Sequence, residues 1–332
     1  MKVLKVVLII VAIIAILLLA AVAYIKFFKP NIPVKDISVS TTTDRVDRGE
    51  YLANHVMVCM DCHSERDWSY FSGPITPGTF GAGGDEFTRE MGFPGHFYAP
   101  NITPYHMNEW SDGEIYRAIV SGVDKGGDPL FPVMPYLSYG KADKEDVYSV
   151  IAYIRTLDPI AKEVPDSEVD FPMSLIMHII PQESQHQARP AESDKVAYGK
   201  YLATIAACAD CHTPFDQGQP VEEMMYAGGR AFELPFGILR APNITPDMAT
   251  GIGSWTEAVW VNRFHSYDSI HKLERKKGLT EYNSLMPWNM YAGMTQQDLK
   301  AMYAYLKSLD PVYHEVEKIT YRDKNQQALG SH

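Results

Sequence analysis

Residues 59–63 read CMDCH and residues 208–212 read CADCH, and these two stretches contain all four cysteines of a 332-residue chain. On a helical turn, residues three apart share a face. Two thiols so placed can each bond one of the two vinyl groups on a porphyrin edge, and the next residue is placed to bind the iron from below. Cys59, Cys62 and His63, with Cys208, Cys211 and His212, therefore fit the attachment pattern of covalently bound haem c. Other uses of paired cysteines fit less well. Structural zinc pairs lie much closer together in sequence than these two and need no histidine in that place. A thioredoxin-type motif wants a βαβ setting, which the surrounding sequence lacks. A disulfide across so small a loop stabilises little.

Working outward, each motif proves to be one corner of a unit written twice. GEYLA (49–53) matches GKYLA (199–203), AGGDEF (82–87) matches AGGRAF (227–232), and APNITP stands at 99–104 and again at 241–246. Trp110-Ser111 corresponds to Trp255-Thr256, MPY (134–136) to MPW (286–288), and AYIRTLDP (152–159) to AYLKSLDP (304–311). The order is conserved between copies, so the chain is a tandem duplication. Its units span residues 45–160 and 195–313, with a linker at 161–194 and a tail at 314–332. A haem iron has a second axial position, whose occupant separates electron transfer from catalysis. Met134 and Met286 hold equivalent places in the two copies, each before a proline and an aromatic residue. Methionine is ordinarily core packing, yet this matched placement makes both the expected thioether ligands. Met107, Met290, Met294, His96 and His106 are held in reserve.

The secondary-structure pattern is helical at the ends of each unit and irregular between them. Residues 48–58 carry apolar side chains at helical spacing and lead into the first cysteine. Ser111 with Glu114 has the form of a capping box, and Asp143 and Thr295 are placed to cap the last helix of each copy. Residues 73–95 hold seven glycines and three prolines, and no alternating strand pattern is evident. The expected fold is all-α, with long structured loops wrapped around a prosthetic group that supplies the missing core. Tyr51 and Leu52, with Tyr201 and Leu202, are expected to pack on Tyr153 and Tyr305 where the first and last helices of each copy cross.

Composition bounds the rest. A chain with 46% hydrophobic and 21% charged residues is globular, and a formal charge of −11 argues against nucleic acid as a partner. Residues 6–25 form an uncharged apolar run long enough to cross a bilayer. Lys2 and Lys5 precede it, which favours a cytoplasmic N-terminus with everything later on the far side. Residues 1–27 are therefore expected to be a membrane anchor, with a cleaved signal peptide as the competing reading, and residues 28–44 a tether. The apolar stretch FPMSLIMHII (171–180) in the linker is expected to dock on one unit, or to meet lipid or a partner. The basic run HKLERKKG (271–278) reads as a solvated loop, or else as a docking patch for an acidic partner or lipid headgroups.

Together, the two Cys-x-x-Cys-His motifs, the stretch APNITPD…GIGSWT (241–256), the MP-aromatic pairs and AYLKSLDP resemble the cytochrome c subunits of membrane-bound quinoprotein alcohol and aldehyde dehydrogenases. They also resemble related membrane-anchored dihaem cytochromes c. The resemblance covers nearly everything after residue 45. It implies two class I-like cytochrome c domains carrying two covalently bound haem c groups. Such subunits typically carry three haem motifs, and this chain has two. The APNIT turn lies near the haem edge in that family, which implies that Asn101 and Asn243, with Thr103 and Thr245, hydrogen-bond propionates. Arg230 replaces Asp85 of the first copy and is expected to pair with a propionate of the second haem. The implied role is a single-pass carrier on the periplasmic side of the inner membrane. It would take single electrons from a dehydrogenase or quinol-oxidising complex and pass them to a cytochrome or terminal oxidase. A dihaem peroxidase or thiosulfate dehydrogenase is the alternative, and a structural haem subunit a third.

Overall fold

Gly49 and Gly199 set the framework of the two copies. A Cβ on Gly49 would stand 1.9 Å from the carbonyl oxygen of Ser149, and one on Gly199 1.9 Å from that of Ala301. In each copy the first helix thus crosses the last with backbone touching backbone, which only glycine permits. The computed structural model describes residues 2–27, 29–267 and 281–322, so the basic run 271–278 and the end of the tail lie outside the described residues.

The chain begins with α1 (Lys2–Phe27). The first copy contains α2 (Thr43–Tyr51), continued by a wider turn over Leu52–Val56, then α3 (Cys59–Cys62), α4 (Pro104–Met107), α5 (Asp112–Ser121), α6 (Tyr136–Tyr139) and α7 (Lys144–Ile154). The linker holds α8 (Met173–Ile176). The second copy contains α9 (Lys195–Ile205), α10 (Cys208–His212), α11 (Glu257–His265), α12 (Trp288–Tyr291) and α13 (Gln296–Lys307). The caps lie where the sequence places them. Ser111 and Glu114 form a complete capping box, the Asp143 side chain accepts from Glu145 N–H, and that of Thr295 accepts from Asp298 N–H.

The all-α expectation needs correction, because three small antiparallel sheets are present among the described residues. In the first copy β1 (Glu86–Phe87) pairs with β2 (Gly95–Tyr98), and β3 (Glu168–Val169) from the linker adds to its edge. Phe215–Asp216 and Gln219–Pro220 form β4 and β5, a separate hairpin. The counterpart of the first sheet joins β6 (Ala231–Leu234), β7 (Gly237–Arg240) and β8 (Ile319–Tyr321), the last coming from the tail. Strands of two to four residues are too short to show alternation against the glycines around them. The third strand comes each time from beyond the repeated unit. The residues after α1 are not a loose tether either. Lys29 donates to Gly126 O (2.8 Å), Arg117 to Ile32 O (3.1 Å), and Val39 N–H to the Asp112 carboxylate (2.8 Å).

Tyr51 and Tyr201 do more than join the apolar core. Each reaches across to the opposite copy. Tyr51 Oη donates to Asp298 Oδ2 at 2.6 Å and accepts from Thr295 N–H; Tyr201 Oη donates to Asp146 Oδ2 at 2.6 Å and accepts from Asp143 N–H. The contacts are reciprocal, so the copies meet about a pseudo-twofold axis. Asp146 and Asp298 are almost fully buried. Replacing both tyrosines with phenylalanine leaves each carboxylate short of a donor, at about 1–3 kcal/mol per site. The double variant should unfold at clearly lower denaturant concentration, and an unchanged midpoint would show that the pairs contribute nothing.

Candidate haem-binding site

Both Cys-x-x-Cys-His turns begin from the same unusual backbone. Val58 (φ 47°, ψ 38°) and Ala207 (φ 52°, ψ 32°) stand in the left-handed region immediately before the first cysteine of each pair. For a residue with a Cβ this costs on the order of 1–2 kcal/mol, more so for β-branched valine, so surrounding contacts must enforce it. A buried tyrosine does so in each copy. Tyr139 Oη donates to Met57 O at 2.6 Å and Tyr291 Oη to Ala206 O at 2.9 Å, pinning the carbonyl just before each left-handed residue. These tyrosines come from the short helices that follow Met134 and Met286.

Each histidine is then fixed through one ring nitrogen. His63 Nδ1 lies 2.7 Å from Pro100 O, and His212 Nδ1 lies 2.8 Å from Pro242 O. A carbonyl can only accept, so Nδ1 carries the proton, and in the neutral ring Nε2 keeps its lone pair. Burial depresses both imidazoles, with the proline carbonyls partly offsetting it, which favours that neutral form. The glycine turn holds the same proline from the other side. Gly83 (φ 72°) and Gly228 (φ 76°) donate N–H to His63 O and His212 O. A Cβ on either would stand 2.5 or 2.4 Å from the carbonyl carbon of Pro100 or Pro242.

All four cysteines are unpaired thiols. Burial pushes Cys59 and Cys208 up to about 12 and raises Cys62 and Cys211 as well, so these are neutral thiols rather than thiolates. Among the described residues no three His, Cys, Asp or Glu side chains converge as a metal cluster, which removes the shared zinc site. Instead Cys59, Cys62, His63, Cys208, Cys211 and His212 line one cavity of about 2380 Å³. That is more than twice the upper end of ordinary small-molecule pockets, about 1,000 Å³. Met134 and Met286 line it too, as do Met107 and His106, whereas His96, Met290 and Met294 do not. His96 is taken up by Glu86 (3.1 Å) and stacks on Tyr98. The donor set fits haem c twice: two thiols, an imidazole nitrogen and a thioether in each copy, facing an apolar space.

The remaining predicted residues have other tasks. Asn101 Nδ2 donates to Ile160 O and Lys162 O, while its Oδ1 accepts from Thr103 N–H and Oγ1. Asn243 repeats this with Thr250 Oγ1, Val312 O and Thr245. Both side-chain N–H groups of each carboxamide are committed within the protein; Asn243 nonetheless lines the cavity, whereas Asn101 does not. They lock the proline turn behind each histidine to the chain leaving the last helix. Arg230 does line the cavity, where it donates to Asp210 O and lies over the Phe215 ring at 4.5 Å.

The first copy has a cation in a matching role that sequence comparison missed. Arg66 is buried, pairs with Asp61 at 2.8 Å and Asp85 at 3.6 Å, and lies 4.1 Å over the Trp68 ring. Position 66 corresponds to Phe215, and Asp85 to Arg230, counting from the histidines and the AGG turns respectively. The arginine has changed elements between copies while staying beside the central aspartate of the motif. Aligning the copies column by column shows the loss at 85 and hides the gain at 66.

The comparisons with known proteins agree with this chemistry. The cytochrome c family model matches residues 196–310. That segment is a cytochrome c domain. Over 301 residues the chain is 27% identical to the alcohol dehydrogenase (quinone) cytochrome c subunit of Gluconacetobacter polyoxogenes, covering 86% of this chain and 60% of the relative. It is 30% identical over 238 residues to the fructose dehydrogenase cytochrome subunit of Gluconobacter japonicus, covering 68% of this chain and 45% of the relative. A diheme cytochrome c-type protein of Cereibacter sphaeroides is 26% identical over 198 residues, covering 57% of this chain and 63% of the relative. The chain thus spans no more than about 60% of the length of the dehydrogenase subunits quoted.

The Arg66 cluster carries a pH-dependent prediction. Burial lifts Asp61 to about 7 and Asp85 to about 6, with Arg66 pulling both back down. Removing the guanidinium strands whichever carboxylates are charged, at about 3–5 kcal/mol for a buried pair. Above pH 7 both acids are ionised in the parent; near pH 5 both are largely protonated. Arg66→Met should therefore destabilise more at pH 8 than at pH 5, as read from denaturant midpoints. An equal loss at both values would mean that packing on Trp68, not charge, is what Arg66 provides.

Proposed function

We propose that the chain is a dihaem electron carrier built from two tandem cytochrome c domains, residues 45–160 and 195–313, on an N-terminal membrane anchor. The observation that carries this reading is the duplicated pair of histidines. Each is held by a proline carbonyl so that Nε2 faces a common apolar cavity. In this reading Cys59, Cys62, Cys208 and Cys211 carry two covalently bound haem c groups, with His63 and Met134, and His212 and Met286, as axial ligands. Bound haem c supplies a one-electron iron couple, and a histidine–methionine ligand pair sets it at a high potential.

The protein's own part is to hold positions and exclude water. Tyr139 and Tyr291 keep the cysteine turns in place, Pro100 and Pro242 orient the imidazoles, and the apolar lining keeps solvent away. The reciprocal Tyr–Asp pairs fix one domain against the other, so that spacing between the two centres is constant. The names of the relatives support a redox partnership: single electrons would come from a membrane dehydrogenase or quinol-oxidising complex and leave to a cytochrome or terminal oxidase. The chain would act as an electron-transfer subunit rather than as the site of substrate oxidation. The helix Lys2–Tyr24, of mean hydropathy 3.5, supports a single-pass anchor in the inner membrane. The two haem domains would then lie on the periplasmic side.

Spectroscopy on the matured protein tests the assignment. Haem content should be two per chain, falling to one when Cys59 and Cys62, or Cys208 and Cys211, are replaced by serine. Met134→Ala and Met286→Ala should each abolish half of the methionine-to-iron charge-transfer absorption and lower one of two midpoint potentials. A parent protein with one readily cyanide-binding high-spin haem would instead point to a dihaem enzyme.

A further inference from the structure

The linker leaves a cluster of apolar side chains uncovered. Phe171 is 77% exposed, Ile179 71% and Ile176 41%, whereas Met177 between them is turned inward and buried. The segment is not a free loop. β3 joins it to the first copy's sheet just before the cluster, and His186 and Gln187 bond to Ala142 O and Lys141 O just after it. It is a short, rigid, two-faced element whose outer face has been left apolar.

Its position identifies what covers it. α8 packs against α1, the one helix among the described residues long and apolar enough to cross a bilayer. Every described side chain of α1 through Tyr24 is exposed. Lys29, only two residues past the helix, is held on the first copy at Gly126 and Asp128. The contact with α8 therefore lies at the C-terminal end of α1, where a spanning helix leaves the hydrocarbon. The two acids flanking the cluster share one cation, Asp170 and Glu168 pairing with Arg89 at 2.8 and 3.5 Å. An apolar face beside the exit point of a spanning helix suits the interfacial region of a bilayer.

We propose that the linker segment 171–179 is a second membrane contact, with Phe171 and Ile179 inserted among the lipid headgroups and upper acyl chains beside α1. This inference rests on the reading of α1 as a membrane span. Met173, Ile176 and Ile180 also line the cavity that the first Cys-x-x-Cys-His turn faces. The contact therefore seats the first haem site against the membrane surface and fixes its orientation there.

The full-length matured chain, reconstituted in phosphatidylcholine vesicles containing an acyl-chain diazirine lipid, provides the test. After photolysis, mass spectrometry should find adducts both in α1 and in residues 171–179. Phe171→Ser with Ile179→Ser touches no cavity-lining residue and should leave the haem spectrum unchanged. It should lower labelling of the linker about tenfold while α1 labels as before. Labelled α1 with an unlabelled linker overturns the proposal and leaves the anchor standing; labelling of neither overturns both. A linker unlabelled in pure vesicles yet protected from protease in native membranes would assign the patch to a partner protein, against the proposal.

Discussion

The hydrogen bond from a histidine ring nitrogen to a proline carbonyl, made once in each copy, is the constraint that organises the structure. It decides which imidazole nitrogen is free, and so which face of the ring can bind. To make it, the APNIT turn must come up behind the Cys-x-x-Cys-His turn, and the glycine of the AGG turn must fit between them without a side chain. Asn101 and Asn243 tie that same turn to the chain leaving the last helix. The irregular middle of each unit is thus a bracket for one ring. Its small sheets serve that end, since β2 and β7 each run directly into the proline turn.

What was legible in the sequence follows from which signals are local. The Cys-x-x-Cys-His turns, the capping residues and the repeat itself are short patterns whose chemistry is set by neighbours within one turn, and all were readable. The strands at 86–87 and 95–98 were not, because two to four residues among glycines carry no period. The role of Tyr51 was hidden for a different reason. In sequence it looks like a core residue of a helix crossing, but its hydroxyl partner Asp298 lies in the other copy, and nothing local marks a contact between copies. The carboxamide bonds of Asn101 and Asn243 were not legible either, because their partners are carbonyls some sixty residues away.

The arginines show a limit of reading repeats by column. What a buried aspartate beside a haem motif requires is a nearby positive charge, and space can be satisfied from more than one backbone position. Arg66 pairs with the Asp61 carboxylate from the loop after the histidine; Arg230, from the glycine turn, donates to the main-chain O of Asp210 and acts on its carboxylate through its charge. Each arginine also lies over an aromatic ring, Trp68 or Phe215, so the cation keeps both kinds of support after changing elements.

The reciprocal tyrosine–aspartate contacts have the form of a homodimer interface, with the same patch used on both sides. Here the two partners are joined by a linker, so their association no longer depends on concentration. Covalent fusion also removes a restriction that identical subunits cannot escape, in which every substitution appears twice. Arg48, which binds Asp146 in one half, is matched by Tyr198 in the other, and Arg66 by Phe215. An object that would otherwise be indifferent to direction has acquired a front and a back.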